Sequence, residues 1–360
     1  MSAMNLYQGL ILSLLAFSGE ALSQEIDRIY RSAYFLGRGD TGIATADGED
    51  AIFYNPAGIA YGKGIYKKTV LASPMIQISN STKDLAREIA VEEDNSTQTI
   101  RKYIGSPQSL GIYNFTGIIL RRAALGLVAS GNNSVLVYKS PEAGALESFR
   151  LSSRAYGGGV FTLADSFFDS RVNMGVTGKY LQKYQADLDI DLSQYEQARD
   201  QDPSGIVKQG AGGGLDFGLM VRGGSRLNPS FGLTIQDIGD TVYASDVPET
   251  TPDPNYQTVN IGFAVAPGTK VSTMRMLIDY RDILNRQQSN PFKKLHIGGE
   301  FSIRDTIGLT TGLNQGYATA GMYLDTYLLR FDLGFYTEET GEYSGHRGDS
   351  RLYFRLSAGF

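Results

Sequence analysis

The sequence predicts an all-β chain, a transmembrane antiparallel β-barrel of about 14 strands closed around an N-terminal hatch that plugs it. Three observations carry that expectation. Apolar and polar residues alternate strictly over eight or more positions in several stretches between Ile65 and the terminal Phe360. The connections between such stretches are short on one rim and long and polar on the other. Glycine (43 residues) and tyrosine (22) are abundant while tryptophan is absent, which suits strands with aromatic ends and tight bends better than a helical enzyme.

Residues 1–23 read as an export signal. The apolar run Leu10–Phe17 is too short to span a bilayer as a helix, and Ala21-Leu22-Ser23 offers the small residues of a cleavage site before Gln24. Residues 1–9 hold no Lys or Arg, a departure from the usual signal pattern. Residues 24–64 form the expected hatch, compact and rich in Gly and Ala, with no period-2 alternation. Its centre is the stretch Asp47–Ala60. Asp50 is expected to cap a helical turn over Ala51–Tyr54, and Pro56 then forces Asn55 out of the helical region. Asn55 in turn caps a second turn starting at Pro56, with Gly58 and Gly62 giving the backbone room to bend.

Residues 65–360 are the barrel. Leu215, Phe217, Leu219 and Val221 share one face of a strand, opposite Asp216, Gly218 and Arg222. Leu329–Tyr336 and Arg351–Phe360 repeat the pattern. Strand centres fall near residues 72, 114, 131, 156, 178, 215, 232, 261, 275, 298, 309, 320, 332 and 354. A soluble sandwich would use such strands with apolar faces inward, but short turns at 121–122, 267–268, 304–305 and 325–326 against long loops at 80–107, 188–205, 237–255, 282–293 and 337–348 favour a barrel. Both termini then belong on the short-turn, periplasmic side. Loop 80–107 is expected to hold a helix capped by Ser81 or Thr82, with Leu85, Ala86 and Ile89 on one stripe, and a short turn over Thr97–Ile104. It is either a lid on the barrel mouth or a hydrophobic docking groove.

Composition removes several function classes. A net charge of −5 gives no footprint for nucleic acid, and the absence of cysteine excludes a lipid-anchored N-terminus, disulfides and thiolate metal sites. Two histidines leave little for a metal centre, and no cofactor is expected. Alternation points His296 into the lumen beside Glu300, while His346 sits in the last outer loop; a polar contact is favoured over a catalytic dyad, and the chain does not read as an enzyme. Arg222, His296, Glu300, Arg330, Asp332, Arg351 and Arg355, with Lys179, Asp216, Asp279 and Arg281, are expected to line the lumen, either as a salt-bridged network around the plug or as a seat for a ligand head group. Outer acidic clusters (Asp187, Asp189, Asp191, Glu196, Asp200, Asp202; and Asp237, Asp240, Asp246, Glu249, Asp253) lack the glycine and final glutamate of a calcium loop. They read as solvation or as divalent bridges to lipopolysaccharide.

The signal, the segment Phe53-Tyr54-Asn55-Pro56-Ala57-Gly58, the strand phrase Gly175–Tyr180 and the terminal Phe360 together resemble the long-chain fatty-acid transporter family of outer-membrane proteins (FadL/TodX type). The resemblance implies a barrel of 14 strands plugged by a hatch, carrying hydrophobic compounds across the bacterial outer membrane and releasing them sideways through a gap in the wall. A related branch, similar to PorV, shares the hatch motif and acts on exported proteins in secretion, or as a scaffold for a protein partner. Partners implied are outer-membrane lipid and lipopolysaccharide, the barrel-insertion machinery, and a hydrophobic small molecule or an exported protein. This chain is shorter than typical transporters, and its helical loop follows the first strand rather than later ones. A plain pore is the third reading.

Phe354, Leu356 and Phe360 lie on the alternating apolar face of the last strand, the expected assembly signal. Deleting Phe360, or replacing Phe354 with Asp, is expected to leave the chain unassembled. A charge on the lipid face costs about 2–4 kcal/mol at the midplane when basic and less when acidic. Heat-modifiable gel mobility equal to wild type would refute this.

Overall fold

The structure, a computed structural model, describes residues 25–61, 66–92, 99, 101–139, 147–194, 206–269, 271–326 and 328–360. The export signal lies outside these residues, as do Gly62, Glu196, Asp200 and Asp202. Strand segments β1 (Tyr66–Ala72), β2 (Met75–Ser79), β3 (Gln108–Leu120), β4 (Ala123–Lys139), β5 (Glu147–Phe167), β6 (Val172–Asp191), β7 (Val207–Arg222), β8 (Ser230–Gln236), β9 (Thr258–Val265), β10 (Ser272–Tyr280), β11 (Leu295–Ile303), β12 (Ile307–Asn314), β13 (Tyr317–Asp325), β14 (Leu329–Glu339) and β15 (Gly348–Gly359) form one sheet. From β3 on, each pairs with its sequence neighbour; β1 and β2 each pair with both β15 and β3, which closes the cylinder. β1 and β2 are a single strand cut at Ser73–Pro74, so 14 strands enclose the lumen. Each expected strand centre falls inside a strand.

The cut has a local cause. Pro74 cannot donate to the ladder, and the first strand carries one extra residue against β3 between the pairs Val70↔Gly117 and Met75↔Tyr113. Side chains replace the missing bonds: Ser73 N donates to Asn114 Oδ1 (3.0 Å) and Thr116 Oγ1 donates to the Leu71 carbonyl (3.0 Å). On the β15 side Leu356 N donates to the Pro74 carbonyl (3.1 Å), and the register shifts by one residue between the pairs Val70↔Gly359 and Ala72↔Ala358.

Outward positions are apolar and exposed, including Leu71, Ile112, Leu125, Leu127, Phe161, Leu215, Phe263, Leu309, Leu333 and Phe354; alternate positions face inward and are buried. With every strand paired on both sides and this apolar exterior, the chain is a transmembrane β-barrel. Phe354 and Phe360 are exposed on that exterior and Leu356 half-buried. The outer rim is lopsided. β5 and β6 run 21 and 20 residues, whereas β8 and β12 run 7 and 8. Asp187, Asp189 and Asp191, expected in a loop, are therefore strand residues, and Arg154 (2.8 Å) and Arg150 (2.9 Å) neutralise the first two from β5. The turn Gln315–Gly316 is the exception to long loops on this rim.

Loop 80–107 contains α3 (Asn80–Glu92; α1 and α2 lie in the plug, below), which starts one turn earlier than expected: Ser79 is the cap, accepting from Thr82 N at 3.1 Å. It packs on the outer ends of β2, β3 and β15. Ile104 packs beside Val137 and Phe149 on the flank of the tall strands, and Gly105 N donates to the Val137 carbonyl (2.7 Å). The described parts of the segment pack along the outer rim; residues 93–98 and 100 lie outside the described residues.

Residues 25–61 occupy the lumen. They include α1 (Ala33–Gly37), α2 (Gly48–Tyr54) and a 3-10 turn, Pro56–Ala60. The expectation that both termini lie on the short-turn side needs correction. Phe360 does, but Glu25 pairs with Arg351 near the outer end of β15, and the plug runs from there to Tyr61 near the short turns. The plug backbone rests on lumen-facing glycines that sit side by side across the sheet: Gly175↔Gly218, Gly232↔Gly262 and Gly298↔Gly312 are register pairs. A Cβ at Gly218 would lie 2.2 Å from Asn55 Oδ1, at Gly232 2.2 Å from the Ile43 carbonyl, and at Gly312 2.6 Å from Gly39 N. Only glycine permits this approach.

Gly218→Val is thus expected to lift the plug at a cost of about 1–3 kcal/mol while the barrel still forms. Limited proteolysis should then cut within residues 25–61 of the folded variant; protection equal to wild type would mean that the wall, not the plug, gives way.

Candidate functional site

The site is built from the plug, the wall it touches and the vestibule above it. Asn55 is fully buried and works on both sides of the plug turn. Its Oδ1 accepts from Ala57 N (3.2 Å), the expected cap, and its Nδ2 donates to the carbonyls of Ile43 (2.7 Å) and Leu219 on β7 (3.2 Å). Pro56 opens the 3-10 turn as expected. Gly58 serves close contact rather than bending, since a Cβ there would meet the Ala46 carbonyl at 2.0 Å. Phe53 stacks on Tyr30 (4.4 Å between centres) and meets Phe115 edge-on, and Tyr54 donates to Asp40 Oδ1 (2.6 Å). Asp50 is not a cap: α2 begins at Gly48 after Asp47, and Asp50 is buried in its first turn, accepting from Tyr30 (3.0 Å).

One side of the lumen is apolar. Val70, Phe115, Ile119, Ala124, Val128 and Val160, from β1 and β3–β5, hold Ile52 and Ile59 of the plug. Burying each isoleucine contributes about 1.5–3 kcal/mol.

The opposite side is ionic, and it grips the plug. Glu300 accepts from Arg38 (2.9 Å), Arg275 (2.6 Å) and Tyr323 (2.9 Å). His296 does not pair with it; its Nδ1 bonds the Gly39 carbonyl (3.0 Å). Arg351 joins Glu25 and Asp349, Arg31 joins Glu338 (2.8 Å), and Arg355 and Arg330 share Asp332 (2.8 and 3.1 Å). Asp279 receives the amides of Gly42 (2.7 Å) and Ile43 (3.1 Å). Arg222 stands apart, with its guanidinium 3.3 Å from the centre of the Tyr61 ring. Of the eleven residues expected to form a network or a head-group seat, eight are thus engaged in the plug–wall network, Arg281 through Asp40 (3.0 Å), while Lys179 pairs with Asp216 (2.8 Å) within the wall. The plug's own charges, Glu25, Arg28, Arg31, Arg38 and Asp40, escaped the sequence reading. Their signal was ionic residues within an otherwise Gly- and Ala-rich segment. His346 stacks on Tyr343 in the last outer loop, and its Nδ1 accepts from Glu342 N (3.1 Å).

Two plug carboxyls differ in character. Burial would raise Asp40, but Arg28 and Arg281 outweigh it and hold Asp40 below the usual range. Burial, opposed by Arg355 and reinforced by Glu49, lifts Asp50 to about 6.

Above the plug opens a vestibule of about 1520 Å³, lined by Asp27, Arg150, Arg154, Lys183, Asp187, Asp253, Arg281 and Lys293, with Ile29, Leu136 and Ile190 between them. Among the described residues, no cluster of three or more His, Cys, Asp or Glu is placed to hold a metal.

Because the folded Asp50 carboxyl, at about 6, exceeds its ordinary value of 3.8, its contribution to plug seating is complete below that ordinary value and is lost as pH rises through the folded one. Protection factors of the plug amides, which remove the base-catalysed rise of intrinsic exchange, should therefore fall from about pH 5 to about pH 7.5 in wild type and change less in Asp50→Asn. Equal pH profiles would refute the assignment.

No family model and no curated protein sequence matches the chain. Among solved structures it is similar to the toluene transporter TodX of P. putida, with a TM-score of 0.48 and 11% identity, covering 92% of this chain and 98% of that one. It is also similar to a Pseudomonas aeruginosa FadL homologue (TM-score 0.37, 10% identity, covering 94% and 99%). A third is CdiB from Acinetobacter baumannii (0.39, 9%, covering 94% and 74%).

Proposed function

We propose that this outer-membrane barrel carries hydrophobic compounds past its plug. The observation that supports the reading most is where the apolar side of the lumen lies. Val70 on the first strand and Phe115 and Ile119 on β3 lie beside the interruption, where side chains stand in for the ladder. Below the charged vestibule, an apolar solute on that side meets the apolar surface of Val70, Phe115, Ile119, Ala124, Val128 and Val160, then a wall whose seal at this point is two side-chain bonds rather than a run of backbone pairs. Each such bond contributes about 0.5–1.5 kcal/mol net, so opening here is cheap. The plug's Ile52, Phe53 and Ile59 now occupy the same side and would have to yield.

One observation favours a second reading. The vestibule carries charges of both signs, which suits a protein segment better than an alkyl chain. On that reading the barrel is a PorV-like scaffold for an exported protein.

The double variant Asn55→Ala/Pro56→Ala separates the two. It removes the cap, worth about 0.5–2 kcal/mol, and the two carbonyl contacts, while leaving the barrel intact. On the transport reading, uptake of a fluorescent long-chain acid or alcohol changes while outer-membrane abundance does not. Wild-type uptake no greater than that of a deletion strain ends the transport reading; a partner recovered with wild type and lost from the variant favours the scaffold.

A further inference from the structure

The outer rim is low on one side, and the loops there leave apolar side chains bare. Strands β8–β12 run 7 to 9 residues. At about 3.3 Å per residue and a tilt of about 40°, β8 rises roughly 18 Å along the barrel axis, short of the apolar band of about 25 Å that such a barrel presents to lipid. β5, with 21 residues, rises roughly 50 Å. Around β8–β11 the band has to be completed by the loops. Ile238 N donates to the Leu215 carbonyl (2.8 Å) and Ile283 N to the Val259 carbonyl (2.9 Å), so both residues continue the wall beyond the strand ends. Ile238, Ile283, Leu284 and Phe292 are 43–69% exposed, and none of them lines the vestibule.

Charged groups of the same loops are turned away or tied to one another. Lys293 and Lys294, next to Phe292, are buried and line the vestibule. Asp282 accepts from Arg286 N (2.9 Å) and Gln287 N (3.0 Å), and Arg286 pairs with Asp240 (2.7 Å), which joins the two loops. The tall side treats outward apolar residues differently. Val137 and Phe149 share the alternation of the lipid-facing Leu125, Leu127, Phe161 and Leu163 but lie further out on β4 and β5, where the wall stands in water. They are buried in one cluster with Ile104 and Leu192. Among the described residues, Ile238, Ile283, Leu284 and Phe292 belong to no buried cluster, and the surface they continue is the lipid-facing wall. A bare apolar patch continuous with that wall fits acyl chains.

We propose that the β8–β9 and β10–β11 loops sit within the outer leaflet, with Ile238, Ile283, Leu284 and Phe292 among its acyl chains. The mouth of the vestibule then meets the membrane surface on this side only, while β4–β6 stand clear of it. The inference rests on the barrel fold and goes beyond the transport reading, so uptake bears on neither its success nor its failure. The chain has no cysteine, so a single introduced thiol reports its own surroundings. Leu284→Cys and Phe292→Cys, each carrying a bimane label, are compared in phospholipid nanodiscs with Leu309→Cys on the lipid-facing wall and Lys139→Cys at the exposed top of β4. A lipid spin-labelled near the top of its acyl chain is expected to quench the labels replacing Leu284 and Phe292 several-fold more than the one replacing Lys139, and as strongly as the one replacing Leu309. Aqueous iodide is expected to give the reverse order. Iodide quenching as strong as at position 139 would place the loops in water and overturn the proposal. Protection from both quenchers would mean that a second protein surface covers the patch, and would overturn it too. Heat-modifiable mobility checks that each variant folds; should one of the two loop variants not fold, the other is read against the same two references and decides.

Discussion

The structure depends on the approach of one backbone to another. Along the wall of β6–β13 the plug backbone lies directly on the strands, because each wall strand but β10 offers a glycine where the plug passes. Contact at this range leaves no slack for sliding, since a shift of one residue would drive a neighbouring side chain into a main-chain atom. It also explains why Asn55 can reach the carbonyl of Leu219 on the wall while capping its own turn. Remove the glycines and the bond to Leu219 no longer has the geometry to form.

Fixed at that distance, the plug meets two unlike surfaces. On the β1–β5 side the contact is apolar and tolerant of small rearrangements. On the β10–β15 side it is ionic and intolerant. Ion pairs buried this deeply add little net stability, because desolvation offsets their attraction. Breaking one costs about 3–5 kcal/mol, since the abandoned charge stays buried. Arg31, Arg38 and Asp40 therefore set the plug's rotation more than its affinity. Movement, if driven, is directed towards the apolar side, where no charge is stranded.

Much of this was legible in the sequence. Period-2 alternation and the turn chemistry located all strands, because each outward residue faces lipid and each inward one a crowded lumen. The Asn55–Pro56 turn was legible because its cap is local. What was not legible is long-range. Asp50 read as a cap from spacing alone, and only its burial against Arg355 and Tyr30 gives it a different role. His296 and Glu300 share a face in sequence, yet each is claimed by a different part of the plug. The glycines read as bends, whereas they mark a seat, because the object they accommodate lies more than a hundred residues upstream. Asp187 and Asp189 read as loop acids because nothing in the chain announces how far β5 and β6 extend past the membrane.

Glu49 has a position with a wider consequence. It lies 3.4 Å from Lys68 on β1 and 3.8 Å from Arg355 on β15, so one plug carboxylate is shared by the first and last strands of the cylinder. The plug is a clasp across the seam where the two ends of the chain meet. Parting β1 from β15 would require undoing the clasp as well as the ladder, whereas towards β3 the same strand is held by backbone pairs alone, Val70↔Gly117 and its neighbours below the break and Met75↔Tyr113 and its neighbours above it. The plug thus ties its own fate to the closure of the cylinder.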